Sequence, residues 1–299
     1  MFKNLVIFRL GGAAAPALSE LQAGVARATF LPCAPTQALS MGWTPPRGEA
    51  HAPLVEVIDG QWLLALRFEH KLLPASVVRD HAEALAARLE ADTGRRPGKR
   101  QMRALKEQAS FELLPQAFTK QATVRGWIDP KARRLMLDAG STARVDATLT
   151  ALADAWPGLA PQALNTVLSP AVAMADWLRS GEPPRGFSVD RDCELKAADE
   201  SRAVVRYTRH TLDPADCQRH LDQGLLPTRL ALTWNDRVSF VLTESLQLKR
   251  VDLLDVVLEA RGSDDGYDAN AALVTGELRR LLPDLLDALG GEAELAAAA

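Results

Sequence analysis

The feature that most limits how this chain can fold is a pair of amphipathic periodicities facing each other across a break. Val78, Ala82, Leu85 and Leu89 fall at i, i+4, i+7 and i+11, and Met102, Leu105, Ala109 and Leu113 fall at i, i+3, i+7 and i+11. Each series marks one apolar face of a helix. Between them stand Gly94, suited to the left-handed position after a helix, and Pro97, which cannot continue one. Ser76 is the expected N-cap of the first helix, and Pro115 ends the second. The pattern predicts two antiparallel helices from about Ala75 to Leu114 joined by a short loop. From Gly94 to Arg103 that hairpin carries five cations and no acid: Arg95, Arg96, Lys99, Arg100 and Arg103. A tip so charged presents itself to something negative; a solvated face with no partner is the plainer reading of the same residues.

Elsewhere the punctuation favours β-hairpins. Asp59-Gly60 is a two-residue turn signal joining Leu54–Ile58 to Gln61–Phe68. Thr123–Asp129 and Arg134–Ala139 flank Asp129-Pro130-Lys131, and Arg229–Trp234 and Arg237–Leu242 flank Asn235-Asp236. Leu5–Leu10, Ala163–Leu168, Gly186–Val189, Cys193–Lys196, Val204–Arg209 and Leu246–Val251 also read as extended. Gly11, Gly12 and Pro16 close the first of these. Helices are expected over Ser19–Thr29, from Thr142 towards Trp156, from Ser169-Pro170 to Gly181, over Pro214–Gln223, and from Asp268 to Gly290 with a kink or break at Pro283. Strands grouped as hairpins, with helices between the groups, give an α+β fold: antiparallel sheets with packed helices and a protruding helical hairpin. Trp127-Ile128-Asp129 before Arg134 echoes Trp234-Asn235-Asp236 before Val238. Either two related β-layers or shared turn chemistry accounts for that echo.

The chain has 299 residues, 47% hydrophobic and 24% charged, enough for two or three subdomains. Its net charge of −3 is unevenly spread. Arg88–Arg134 holds 12 Lys/Arg against 5 Asp/Glu, leaving 23 against 33 for the remainder. Such segregation leaves an electrostatic footprint that the total conceals. The apolar start Leu5–Phe8, interrupted by Arg9, is too short for a signal-peptide core, and no apolar run reaches the roughly 18 residues of a membrane span. A cytoplasmic protein with no membrane partner is expected. Cys33, Cys193 and Cys217 are odd in number and far apart, so no disulfide framework follows.

The sequence carries few motifs of catalytic or metal chemistry. Gly11-Gly12 lacks the Lys-Ser/Thr of a phosphate-binding loop. Cys217 and His220, i and i+3 on a helix, form a two-ligand face with His210 as the only third candidate; a core thiol and a surface imidazole is the simpler account. Asp264-Asp265-Gly266-Tyr267-Asp268 lacks the spacing of a calcium loop. The histidines His51, His70, His81, His210 and His220 show no evident carboxylate partner. No catalytic residue, metal site or cofactor is expected, and the chain reads as a non-enzyme.

Nine stretches, in order and with their spacing, resemble the family of recombination-associated protein RdgC. They are Phe2-Lys3-Asn4-Leu5 with Arg9-Leu10; Met41-Gly42-Trp43-Thr44-Pro45-Pro46; Lys71-Leu72-Leu73-Pro74; Leu113-Leu114-Pro115-Gln116-Ala117-Phe118; Trp127-Ile128-Asp129; Trp177-Leu178-Arg179-Ser180-Gly181; Leu230-Ala231-Leu232-Thr233-Trp234; Thr275-Gly276-Glu277-Leu278; and Leu289-Gly290-Gly291-Glu292. The resemblance implies central, tip and base portions, here 1–74 with 115–168, 75–114 and 169–299. It implies a ring-forming homodimer that closes around duplex DNA with little sequence preference, resides with the nucleoid, and opposes RecA-type recombination.

Phe118 matches an aromatic that the family places at the subunit contact closing the ring; Gln116 stands where some members carry a cation. Arg95 fits a basic position near the hairpin tip. Arg209 and His210 stand where the family has Lys and Gln, as phosphate contacts. Two other classes fit the same residues: an adaptor whose basic hairpin docks an acidic protein surface, and a DNA-processing enzyme.

Overall fold

The computed structural model describes residues 1–11, 17–260 and 266–293. Gly12 and Pro16, Asp264 and Asp265, and the alanine tail lie outside the described residues.

All strands pair antiparallel in one sheet, entered by β1 (Asn4–Leu10) and followed by α1 (Leu18–Ala26), β2 (Leu39–Thr44), β3 (Val55–Ile58) and β4 (Gln61–Lys71). The helical hairpin α2 (Ala75–Thr93) and α3 (Lys99–Leu113) comes next. It returns through a single 3-10 turn, Leu114–Gln116, to β5 (Thr119–Asp129), β6 (Arg134–Asp138), α4 (Thr142–Ala155) and β7 (Pro161–Ala163). The second half runs α5 (Pro170–Ser180), β8 (Phe187–Ala197), β9 (Val204–Tyr207), α6 (Pro214–Asp222), β10 (Leu225–Trp234), β11 (Val238–Thr243), β12 (Leu248–Leu253), α7 (Asp255–Ala260) and α8 (Tyr267–Ala288).

The strand order is β2-β4-β5-β6-β1-β12-β11-β10-β8-β9, with β3 on β4 and β7 on β1. The separate hairpin sheets expected from the sequence are therefore one. The joint is β1, which pairs with β6 along Leu5–Arg9 and with β12 at Asn4↔Lys249 and Leu5↔Leu248. The order reflects about that joint: β4-β5-β6-β1 on one side, β8-β10-β11-β12 on the other. The two tryptophans of the echo lie near the ends of corresponding strands, Trp127 third from last in β5 and Trp234 last in β10. Both are buried, and each indole N–H finds an acceptor, Gln61 Oε1 at 2.7 Å and Asp284 Oδ2 at 2.9 Å.

Period-two alternation sorts the first-half strands between two cores. Phe8, Leu10, Leu64, Leu66, Val124, Ile128, Leu135 and Leu137 face a core closed by α1 and α4. Leu5, Ile7, Leu63, Trp127 and Met136 face the other way, into a larger core shared with β8–β12, α5, α6 and α8. Gly24 lets α1 press on the end of α4; a Cβ there would lie 1.7 Å from the Ala155 carbonyl oxygen.

Helix α8 buries Ala271, Val274, Leu278, Leu281, Leu282 and Leu285 at helical spacing and continues through Pro283 without a break. It also binds both halves by ions: Arg279 to the buried Asp129 at 3.0 Å, and Glu277 to Arg237 at 2.6 and 2.7 Å. β8 is a single strand across what the sequence suggested were two, and α7 was not anticipated.

Candidate nucleic-acid interface

The hairpin forms as its periodicities require. Gly94 is left-handed at φ 66°, with its N–H on the Glu90 carbonyl at 2.8 Å. The N-cap of α2 is Pro74, not Ser76; the proline ring presets the extended backbone before the first turn, and Ser76 lies inside the helix without a capping bond. At the start of α3, Gln101 Oε1 accepts the Gly98 N–H at 3.1 Å. Helices α2 and α3 pack chiefly on each other, and only Ala82 and Ala109 are fully buried, so the pair stands away from the sheet.

Arg95, Arg96, Lys99 and Arg100 are all exposed, and among the described residues no salt bridge engages them. Lys99 and Arg100 lie in the first turn of α3, which contains no acid. Cations there oppose the helix dipole, so local helix energetics do not explain them. Arg103 is partly occupied by Glu107 at 3.3 Å, an exposed pair that salt screens.

Further down the hairpin, His81 Nε2 meets Glu112 Oε2 at 2.8 Å, a carboxylate partner that sequence spacing did not reveal. Hydrogen bonds from His81 and Gln108 hold the Glu112 carboxyl below the usual range. Lys71 Nζ donates to the carbonyls of Leu114 and Pro35 at 2.8 and 2.6 Å, fixing the hairpin's return to the body. Just beyond lies Phe118, 84% exposed, its carbonyl held by the Leu72 N–H at 2.7 Å. The backbone is anchored, while the ring is left in solvent.

Arg209 and His210 sit elsewhere, where the chain leaves β9 in the other half of the sheet, and share no bond with the hairpin cations. Both are exposed. The Arg209 N–H donates to Asp192 Oδ1 at 2.8 Å; the His210 ring meets the Thr211 carbonyl at 2.7 Å and packs 5.9 Å from Tyr207.

Their sequence neighbour Thr208 lines a depression of about 370 Å³ together with residues of β1 and β8–β12. Sequence reasoning missed the cations lining it: Arg206, Arg229, Lys249 and Arg250. Cross-strand pairing sets Arg206 and Arg229 on either side of Glu194, while Lys249 lies between Asn4 and Val241, two residues along β11 from the Thr243 that faces Arg229. Burial pushes the Glu194 carboxyl up, but hydrogen bonds from Arg206 and Thr228 and the charge of Arg229 outweigh it and hold it low. The usable sequence signal was alternation: polar residues at every second position of strands that are apolar on the other side.

No group of three or more His, Cys, Asp or Glu that could hold a metal occurs among the described residues. Cys217 is buried in the core, and His220 packs on Tyr207 with 6.2 Å between ring centres. No described helix is long and apolar enough to cross a membrane.

A family model described as "Putative exonuclease, RdgC" matches residues 1–292. A recombination-associated protein RdgC of Dechloromonas aromatica (strain RCB) is 42% identical over 299 residues, covering 97% of this chain and 98% of its own length. The protein of the same name from Cupriavidus pinatubonensis (strain JMP 134 / LMG 1197) is 45% identical over 296 residues, with the same coverage. That from Bordetella pertussis (strain Tohama I / ATCC BAA-589 / NCTC 13251) is 42% identical over 296. With both cores, the hairpin and the β9 turn inside the matched span, the chain belongs to the RdgC family of recombination-associated proteins.

Proposed function

We propose that the chain is a sequence-independent DNA-binding protein that closes as a homodimeric ring around duplex DNA in the nucleoid and opposes RecA-type strand exchange by occupying the DNA. In this reading residues 75–114 are the tip, 1–74 with 115–168 the centre and 169–299 the base. The observation that carries it is the set Arg95, Arg96, Lys99 and Arg100, whose side chains are exposed and make no salt bridge among the described residues, at the end of a projecting hairpin. Membership of a family whose relatives are named for recombination supports DNA as the polyanion. Such cations neutralise phosphates and release counterions, which gives affinity without reading bases. Phe118, a large apolar ring presented beside the hairpin on a fixed backbone, is the contact by which two copies close. A closed ring lengthens residence on circular DNA, because an interface must open before the DNA leaves.

Electrophoretic shifts with duplexes of unrelated sequence test this. Comparable affinities that fall steeply with salt are expected; strong preference for one sequence would overturn it. Salt-dependent self-association with no DNA shift would instead favour an adaptor docking an acidic surface. The description of the family model favours one second reading, an exonuclease. Release of nucleotides from labelled duplex on addition of Mg²⁺ or Mn²⁺ would establish that reading in place of the non-enzymatic one.

A further inference from the structure

Two arginines beside the depression on the second half of the sheet have left-handed backbone, Arg209 and Arg250, each at φ 52°. Arg209 stands where the chain turns away from β9. Arg250 stands in a bulge of β12, where the register with β11 slips between Ser239↔Asp252 and Val241↔Lys249. A glycine occupies either conformation without strain, and an arginine does not. Both arginines are exposed, so no packing requirement selects their side chains.

They are tied to the same carboxylate. Asp192 accepts the Arg209 backbone N–H on Oδ1 at 2.8 Å and Arg250 Nη1 on Oδ2 at 3.3 Å. Asp192 is itself in a bulge, since the β8–β10 register slips between Leu230↔Cys193 and Leu232↔Val189. On its other side the His210 N–H donates to the Arg191 carbonyl at 3.1 Å, which fixes the turn. An exposed ion pair adds little stability, so it does not account for two strained arginines converging on one acid. Nor does Asp192 use the guanidinium up: a guanidinium has five N–H donors, and the contact with Asp192 takes one.

We propose that Asp192 is a positioning residue that sets Arg209 and Arg250 together as a fork for the phosphate backbone of a nucleic acid. This rests on the DNA binding proposed above and moves part of it off the hairpin. It gives Asp192 and Arg250 a role that neither charge counting nor the hairpin predicts.

The test measures duplex affinity across a salt series, and thermal melting, for the full-length wild-type chain, Asp192→Asn and Arg250→Gly. Asp192→Asn keeps an acceptor for the Arg209 N–H and removes a negative charge from a DNA-facing surface. Electrostatics alone would tighten binding; a positioning role weakens it, by about threefold on the scale of one exposed ion pair. Arg250→Gly relieves strain, so its melting temperature should hold or rise while the slope of log K against log salt falls by about 0.9, one phosphate contact. An Asp192→Asn protein that binds as tightly as wild type or tighter, or an Arg250→Gly protein with an unchanged slope, overturns the fork. Wild-type protein that shifts no duplex at any salt overturns the DNA reading itself, and the fork with it.

Discussion

Replacing Arg95, Arg96, Lys99 and Arg100 together by glutamine isolates the hairpin's contribution to DNA binding. The four side chains are exposed and make no salt bridge among the described residues, so the substitution breaks no ion pair of the fold. Lys99 and Arg100 oppose the dipole of α3, so their loss should stabilise that helix by about 0.3–1 kcal/mol each at low salt. Weaker binding by the variant is then not a folding defect. If each cation meets one phosphate, the slope of log K against log salt falls by about 0.9 per contact, roughly 3.6 for the four. Raising salt from about 50 to 200 mM would then cost the wild-type protein roughly 150-fold more affinity than the variant. Fluorescence anisotropy with a labelled duplex across that range reads the slope directly. An unchanged slope, with the variant folded, would refute the assignment of DNA contact to the tip.

Three other predictions follow from particular side chains. Phe118→Ala should leave melting within about 0.5 kcal/mol of wild type, as expected for an exposed site, yet release closed circular DNA much faster in a competitor chase. Arg237→Leu strips the buried Glu277 of its two-point partner and should cost about 2–3 kcal/mol by denaturant melting; Arg280, 3.7 Å away, limits the loss. In the wild-type protein Arg237 holds the Glu277 carboxyl below its usual range. That stability is complete above the unfolded value of about pH 4.3 and is lost as pH falls through the folded value, so the variant should show a shallower acid limb. Burial pushes the Cys193 thiol up to about 12 and raises Cys217 as well; both should resist alkylation at neutral pH while folded, with all three cysteines reacting in denaturant.

What the sequence disclosed was local chemistry. Asp59-Gly60 and Asn235-Asp236 are turns with positive φ at both residues, as their side chains foretold. Ser169 caps α5 by accepting the Val172 N–H, with Pro170 beside it and a left-handed Gly181 at the far end. The helical hairpin followed from two runs of spacing and one glycine. What stayed hidden depends on residues far apart in the chain. The single sheet hangs on Asn4 meeting Lys249, a contact that no local pattern encodes. The pairing of His81 with Glu112 depends on the register of two helices, and the convergence of Arg209 and Arg250 on Asp192 on two bulges. Of the candidate site, the hairpin was readable because its charges are contiguous. The strand cations Arg206, Arg229 and Lys249 were not, because only pairing across the sheet brings them to one depression.

The most direct test of the central claim is the solution mass of the protein, alone and with a short duplex, across a salt series. A closed ring predicts twice the 32.4 kDa of the chain at every salt, with one duplex added to that dimer at low salt and shed as salt rises. A monomer that binds DNA alone, or a dimer that dissociates with salt and never takes up the duplex, would contradict it.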